Sequence, residues 1–281
     1  MKKKSLIMSL AALVLTACND KETLNPESVL KESTVARTAL DEYIDATFTR
    51  PYNISVTYRY VDSDFDNSRY LYPPTESKVR PLLEIVRSVW IDAYTEIAGP
   101  NFVKEIAPRQ IALIGGYNYN SSGTRTLGIA DSGLKITLFE VDLLDKRNQR
   151  ATREYFHTIQ HEYCHIINQK KPYDPEFAKI TPDGYISTWY NVSTAEANEA
   201  GFITPYSMLN DKEDFAEITS GMLSGSRAAW DARVDAISSA TGKAAIRRKE
   251  AFVADYFKKK WNIDIYELQA KVEDKMIAAL R

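Results

Sequence analysis

Apolar positions at Val79, Leu82, Leu83, Val86, Val89, Ala93 and Ile97 recur at helical spacing. They predict a helix over about 76–98, which Gly99 and Pro100 end. An earlier stretch, about 28–46, reads as a first helix. Residues 54–60 alternate apolar and polar with β-branched and aromatic members, which predicts a strand before a polar loop at 62–74. Two further strands are expected at 110–114 and 134–141. Between them, residues 115–134 are rich in Gly, Asn and Ser and read as a hairpin region with a long loop. A helix follows over about 149–169, stopped by Pro172. Residues 172–200 are mixed and aromatic. Helical patterning returns at about 211–223, 226–239, 242–259 and 264–280. Strands in the first half and helices in the second give an α+β class, with no internal repeat.

Composition narrows the picture. The 281 residues are 44% apolar and 26% charged, proportions of a globular chain rather than a disordered one. Net charge is −2, so no basic field marks a nucleic-acid binder.

The first residues read as an address, not as fold. Lys2, Lys3 and Lys4 precede an apolar run from Leu6 to Leu15, of signal-peptide length and too short to span a bilayer. The run ends at Leu15-Thr16-Ala17-Cys18, which resembles a bacterial lipobox, cut before a cysteine that is then lipidated. The alternative is an ordinary secretory signal with an incidental cysteine. Cleavage after residue 17 leaves 33 basic against 38 acidic residues, a charge of −5, and two cysteines, Cys18 and Cys164, too few for a disulfide framework. The expected organisation is a leader over 1–17, a lipidated Cys18 and polar tether over 18–30, and one domain over 31–281. Asn19 after the cysteine suits outer-membrane sorting by analogy with Gram-negative lipoproteins.

The chemistry concentrates in His161-Glu162-Tyr163-Cys164-His165. Two histidines four apart lie on one helical face, about 6 Å apart along the axis, where both imidazoles reach one tetrahedral Zn²⁺. Glu162 projects beside them, placed to take a proton from a water activated by the metal. The alternative is a helix with two surface histidines beside a glutamate. The chain has three histidines in all. The third, His157, continues the stripe, but one metal is not comfortably reached from both of its ends. A supporting or core role is expected for it. Cys164 reads as a small buried apolar residue.

A catalytic zinc needs a third protein ligand. No histidine follows His165, so a carboxylate is required. Glu213 and Glu217 lie one turn apart at the start of the 211–223 helix. One can ligate while the other orients an imidazole through its second nitrogen. By spacing alone, an acidic helix N-terminus that complements the macrodipole explains them equally well.

The histidine motif with a downstream Glu-x-x-x-Glu resembles the gluzincin metallopeptidases. That resemblance implies a zincin-like fold: a small mixed sheet with an active-site helix, then a helical C-terminal part. It also makes Glu213 the ligand and Glu217 its supporter. The stretch Ala200 to Ser207, followed by Glu213-Asp-Phe-Ala-Glu217 and combined with the lipobox, resembles more narrowly the Bacteroidetes substrate-import-associated zinc metallohydrolase lipoproteins. Tyr206, seven residues before Glu213, is similar to a gluzincin tyrosine that faces the zinc, and its phenol could donate to an oxyanion. The alternative for Tyr206 is a partly buried loop residue.

The expected function is therefore one-zinc peptide hydrolysis with Glu162 as general base, on an outer-membrane lipoprotein. Its partners would be a peptide or protein substrate, the membrane through Cys18, and a nutrient-import complex. The rival is a non-catalytic surface subunit of such a complex with a structural or vestigial zinc site. The retained Glu162 argues against it, since a structural site needs no such residue. Hydrolysis of another amide or ester stays open. The strand near Lys135 to Phe139 is expected to be the edge that pairs with an extended substrate.

Overall fold

Helix α1, residues 39–52, opens on Thr38, whose hydroxyl and the Asp41 carboxylate form a reciprocal capping box. The computed structural model describes residues 36–281. The leader, Cys18, the tether and the start of the first expected helix lie outside the described residues. Helix α1 runs six residues past its expected end through a π-helical stretch at Asp45–Thr49. Phe48, in that stretch, is fully buried, and this packing overrides the weak helix propensity of its threonine neighbours. The helix stops at Asn53 in left-handed conformation.

Strand β1, Ser55–Thr57, is shorter than the expected 54–60. Only Ser55, Val56 and Thr57 find partners across the sheet, and the next residue, Tyr58, turns its phenol to Asp41 at 2.7 Å. Helix α2, residues 76–98, then crosses to the next strand, with its middle turn widened at Arg87–Asp92. A short helix α3, Phe102–Ile106, leads into β2, Gln110–Leu113. The region read as a hairpin with a long loop does contain one: β3 (Asn118–Tyr119) pairs antiparallel with β4 (Arg125–Thr126). It also contains a further strand, β5, Gly128–Asp131, followed by β6, Lys135–Leu138.

The main sheet has the order β1-β2-β6-β5. The first three strands are parallel and β5 runs antiparallel to β6. This corrects the expected edge. β6 is interior, paired on both sides, and the exposed edge beside the helical layer is β5. The sequence hid it because Gly128-Ile-Ala-Asp131 sits among turn residues and lacks a strong alternating signal. Register puts Ile111, Ile136 and Ala130 side by side on the face toward the helices. The opposite face carries Phe65, Ile114 and Phe139 under the segment before α2.

Helix α4, Gln149–Lys170, is capped by Asn148, whose side chain accepts from the Ala151 amide. Thr152, Phe156, Ile159, Tyr163 and Ile167 form its buried stripe. Tyr163 packs edge-on against Trp90 and Tyr94 of α2, each with ring centroids 5.0 Å apart. Gln160 donates to the Val89 carbonyl at 2.8 Å. Locking this stripe to α2 leaves the histidine stripe of α4 facing away from it. After short 3₁₀ turns and α5 (Thr194–Glu199), four helices complete the fold: α6 (Asp211–Leu223), α7 (Arg227–Asp235), α8 (Ala240–Trp261) and α9 (Ile265–Ala279). Among the described residues no helix is long and apolar enough to cross a membrane.

Candidate metal centre

Helices α4 and α6 pack face to face, and the centre lies between them. Asn210 caps α6 by accepting from the amides of Lys212 and Glu213, which fixes Glu213 in the first helical turn. From there its carboxylate meets the histidine stripe. His161 Nε2 is 3.0 Å from Glu213 Oε2, His165 Nε2 is 3.2 Å from the same oxygen, and the two Nε2 atoms are 3.1 Å apart. A tetrahedral zinc with bonds of about 2.0–2.1 Å separates its ligand atoms by roughly 3.3 Å, so this triangle has the dimensions of a zinc site.

The surrounding bonds test the fit. His161 Nδ1 lies 2.9 Å from Glu217 Oε1, and the other Glu217 oxygen accepts from the Thr204 hydroxyl at 2.7 Å. With Nδ1 donating to Glu217, His161 Nε2 carries a lone pair aimed at the Glu213 carboxylate, itself an acceptor, 3.0 Å away. Two acceptors facing each other at that distance need a cation beside them. A proton can serve in its place. Burial alone would lower the His161 pKa, but the bonds to Glu213 and Glu217 outweigh it and raise it to about 10. Burial likewise would raise Glu213, yet His161 and His165 hold it down at about 2. Both shifts express one demand for positive charge at the triangle.

A second triad, His157, His161 and Glu217, shares the same imidazole. His157 Nε2 is 2.9 Å from Glu217 Oε1. Glu217 is already committed to His161 and Thr204, so this triad reads as the layer that orients His161. Burial would raise the Glu217 pKa, but neighbouring His157 and then His161 take it well below the ordinary value. His157 thus stands beside the supporting carboxylate and off the ligand triangle. It also lines the cleft in front of the centre.

That cleft holds about 440 Å³. Glu162 lines it, and burial raises its carboxyl against the lowering pull of His161 and His165, while the Ala130 amide of β5 donates to it. Gly128 lies against the same carboxylate. On the far side stands Tyr206, its ring 5.8 Å from His161 and edge-on to Trp189 at 4.9 Å. Burial, then the carboxylates of Glu213 and Glu162, push its pKa up, which keeps the phenol a donor. Cys164 is buried behind the site, and burial raises its thiol to about 12, out of the range of a thiolate ligand.

The structure therefore brings His161, His165, Glu213, Glu217, His157, Glu162 and Tyr206 together. Sequence reasoning missed Thr204, Trp189 and Gly128. Each acts through a contact with a residue distant in the chain, and the sequence holds no local signal for it.

A family model described as "Putative zinc-binding metallo-peptidase" matches residues 33–266. The chain is also similar to a protein of Bacteroides caccae whose crystal structure bears that same description. The two share 32% identity with a TM-score of 0.72, over 90% of this chain and 97% of that one. No curated protein matches the chain.

Proposed function

Because the chain belongs to this zinc-binding metallo-peptidase family, we propose that it hydrolyses peptide bonds, with Glu162 as general base. Its cofactor is zinc. His161, His165 and Glu213 would hold the ion. When bound, the ion supplies Lewis acidity that polarises a carbonyl and makes a water easier to deprotonate. Glu162 takes the proton from the attacking water and returns it to the leaving amine. Its raised pKa and its bond from Ala130 suit both halves of that exchange.

Substrate is held along β5. The Leu127 carbonyl accepts from the Phe139 amide, so residues 127, 129 and 131 turn their backbone groups to β6. Gly128 and Ala130 turn theirs outward; with the Ala130 amide held by Glu162, the Gly128 groups and the Ala130 carbonyl are the ones an extended peptide pairs with. Tyr206 donates to the developing oxyanion from across the cleft. Glu217, His157 and Thr204 keep His161 in the tautomer that presents Nε2 forward.

One observation carries this reading: three ligand atoms converge within 3.2 Å of one another, and one of the three residues, His161, lines the cleft that also holds a buried carboxylate bonded to a sheet edge. A structural metal site needs the first feature but not the second. The test is hydrolysis of a peptide library by protein lacking residues 1–18, with and without chelator. Chelator-sensitive cleavage restored by zinc is expected, and zinc-loaded protein that cleaves no peptide would refute the reading. The leader and Cys18 support a lipid-anchored, outer-membrane setting for this activity.

A further inference from the structure

Behind the metal centre lies an ion pair that the proposed chemistry does not use. Lys249 of α8 and Asp214 of α6 are 2.6 Å apart, with both side chains fully buried. The ammonium also donates to the Gly201 carbonyl at 2.8 Å and sits 3.7 Å above the Phe202 ring. Asp214 accepts from the Tyr185 phenol at 3.0 Å, while its other oxygen has no hydrogen-bond partner.

A buried pair of this kind is a weak source of stability, because desolvation cancels much of the attraction. Its placement is more informative. Asp214 directly follows Glu213 and precedes Glu217 by three residues. Gly201 and Phe202 begin the segment that carries Thr204, the donor to Glu217, and then Tyr206. That segment is pressed onto α8 at the same place. Gly201 has φ +88°, and a Cβ there would fall 2.7 Å from the Ala245 side chain. One ammonium thus touches both pieces of chain that build the far half of the centre.

We propose that Lys249 is a positioning residue, which locks the 201–209 segment to α6 so that Thr204 holds Glu217 and Tyr206 faces the metal. The inference rests on the metal centre proposed above, not on the identity of the substrate. Disorder of the lock would loosen Glu217, and with it the orientation of His161, before it unfolded the protein.

The test compares zinc affinity, measured by chelator competition, across folded variants. Lys249→Met alone would strand a buried carboxylate, so it is combined with Asp214→Asn, which keeps the Tyr185 contact. Ile44→Ala, in α1, supplies a control that loses core packing far from the centre. The zinc dissociation constant of the double variant should rise about 10–100-fold, the usual effect of disturbing the groups that orient a metal ligand. The control should bind zinc as wild type does. Where hydrolysis is measured, kcat should fall more than KM rises. A folded double variant with wild-type zinc affinity overturns the proposal, as does an equal loss in the control. If the double variant does not fold, Phe202→Leu decides. It keeps both charges and removes the ring that lies beneath the ammonium and edge-on to Tyr185, so several-fold weaker zinc binding is expected and wild-type affinity overturns the idea. The zinc-affinity readouts need no substrate, so a failure of the peptidase reading would be seen separately.

Discussion

The Cβ that Gly128 lacks would fall 2.9 Å from Glu162 Oε1 and 2.6 Å from Thr158 Cγ2. The edge strand passes so close to the base that only glycine fits between them. Gly128→Ala should therefore displace the Glu162 carboxylate while leaving the ligand triangle intact. Misplacement of a reacting group by about 1 Å can cost as much as 10² in rate, so kcat should drop by roughly tenfold or more. Zinc content should stay at the wild-type level. Kinetics beside metal analysis checks this, and normal turnover would mean that the strand simply shifts.

Tyr206 faces His161 at 5.8 Å between ring centroids. Tyr206→Phe keeps the ring against Trp189 and removes only the hydroxyl. Loss of one oxyanion donor typically costs about 10²–10³ in kcat. The expected result is a lower kcat with KM and zinc affinity little changed. Steady-state kinetics with unchanged kcat would return Tyr206 to a packing role.

Much of this site was legible in the sequence, and the reason is periodicity. The four-residue spacings of His157, His161 and His165, and of Glu213 and Glu217, survive folding because each set lies on one helix. Helix α6 begins and ends where its pattern predicts, at Asp211 and Leu223. The edge strand was misassigned to β6 for the opposite reason. β5 is four residues long and contains a glycine demanded by Glu162, a residue more than thirty positions away. Lys249 and Asp214 were equally invisible as a pair. A lysine in an amphipathic helix reads as solvated until the fold buries it.

Stability should depend on pH through a group far from the metal. Arg59 first, then Thr38 and Tyr58, hold the Asp41 carboxyl below the usual carboxylate range, against the raising effect of burial. Its folded pKa is depressed, so its contribution is fully present above the unfolded value of about 3.9. It is lost as pH falls through the lower folded value. Asp41→Asn should lower the melting temperature at pH 7, and the gap to wild type should shrink below pH 4. Melting curves of both proteins across that range check the sign. A gap that widened in acid would contradict it.

Cys18 carries the proposed anchor. A single acyl chain anchors marginally, whereas a multiply acylated cysteine anchors firmly. Cys18→Ser should move the protein from the membrane fraction to the soluble one. Fractionation identical to wild type would contradict a lipidated Cys18.

The central claim is that a zinc held by His161, His165 and Glu213 works with Glu162 as its base. Its most direct test is the rate of peptide hydrolysis by zinc-loaded Glu162→Gln, with metal content measured on the same sample. Gln keeps the size and the bond from Ala130 but cannot take a proton. The account predicts full zinc occupancy with a rate reduced by roughly 10² or more, the scale of acid–base catalysis. Hydrolysis at the wild-type rate with zinc in place would contradict it.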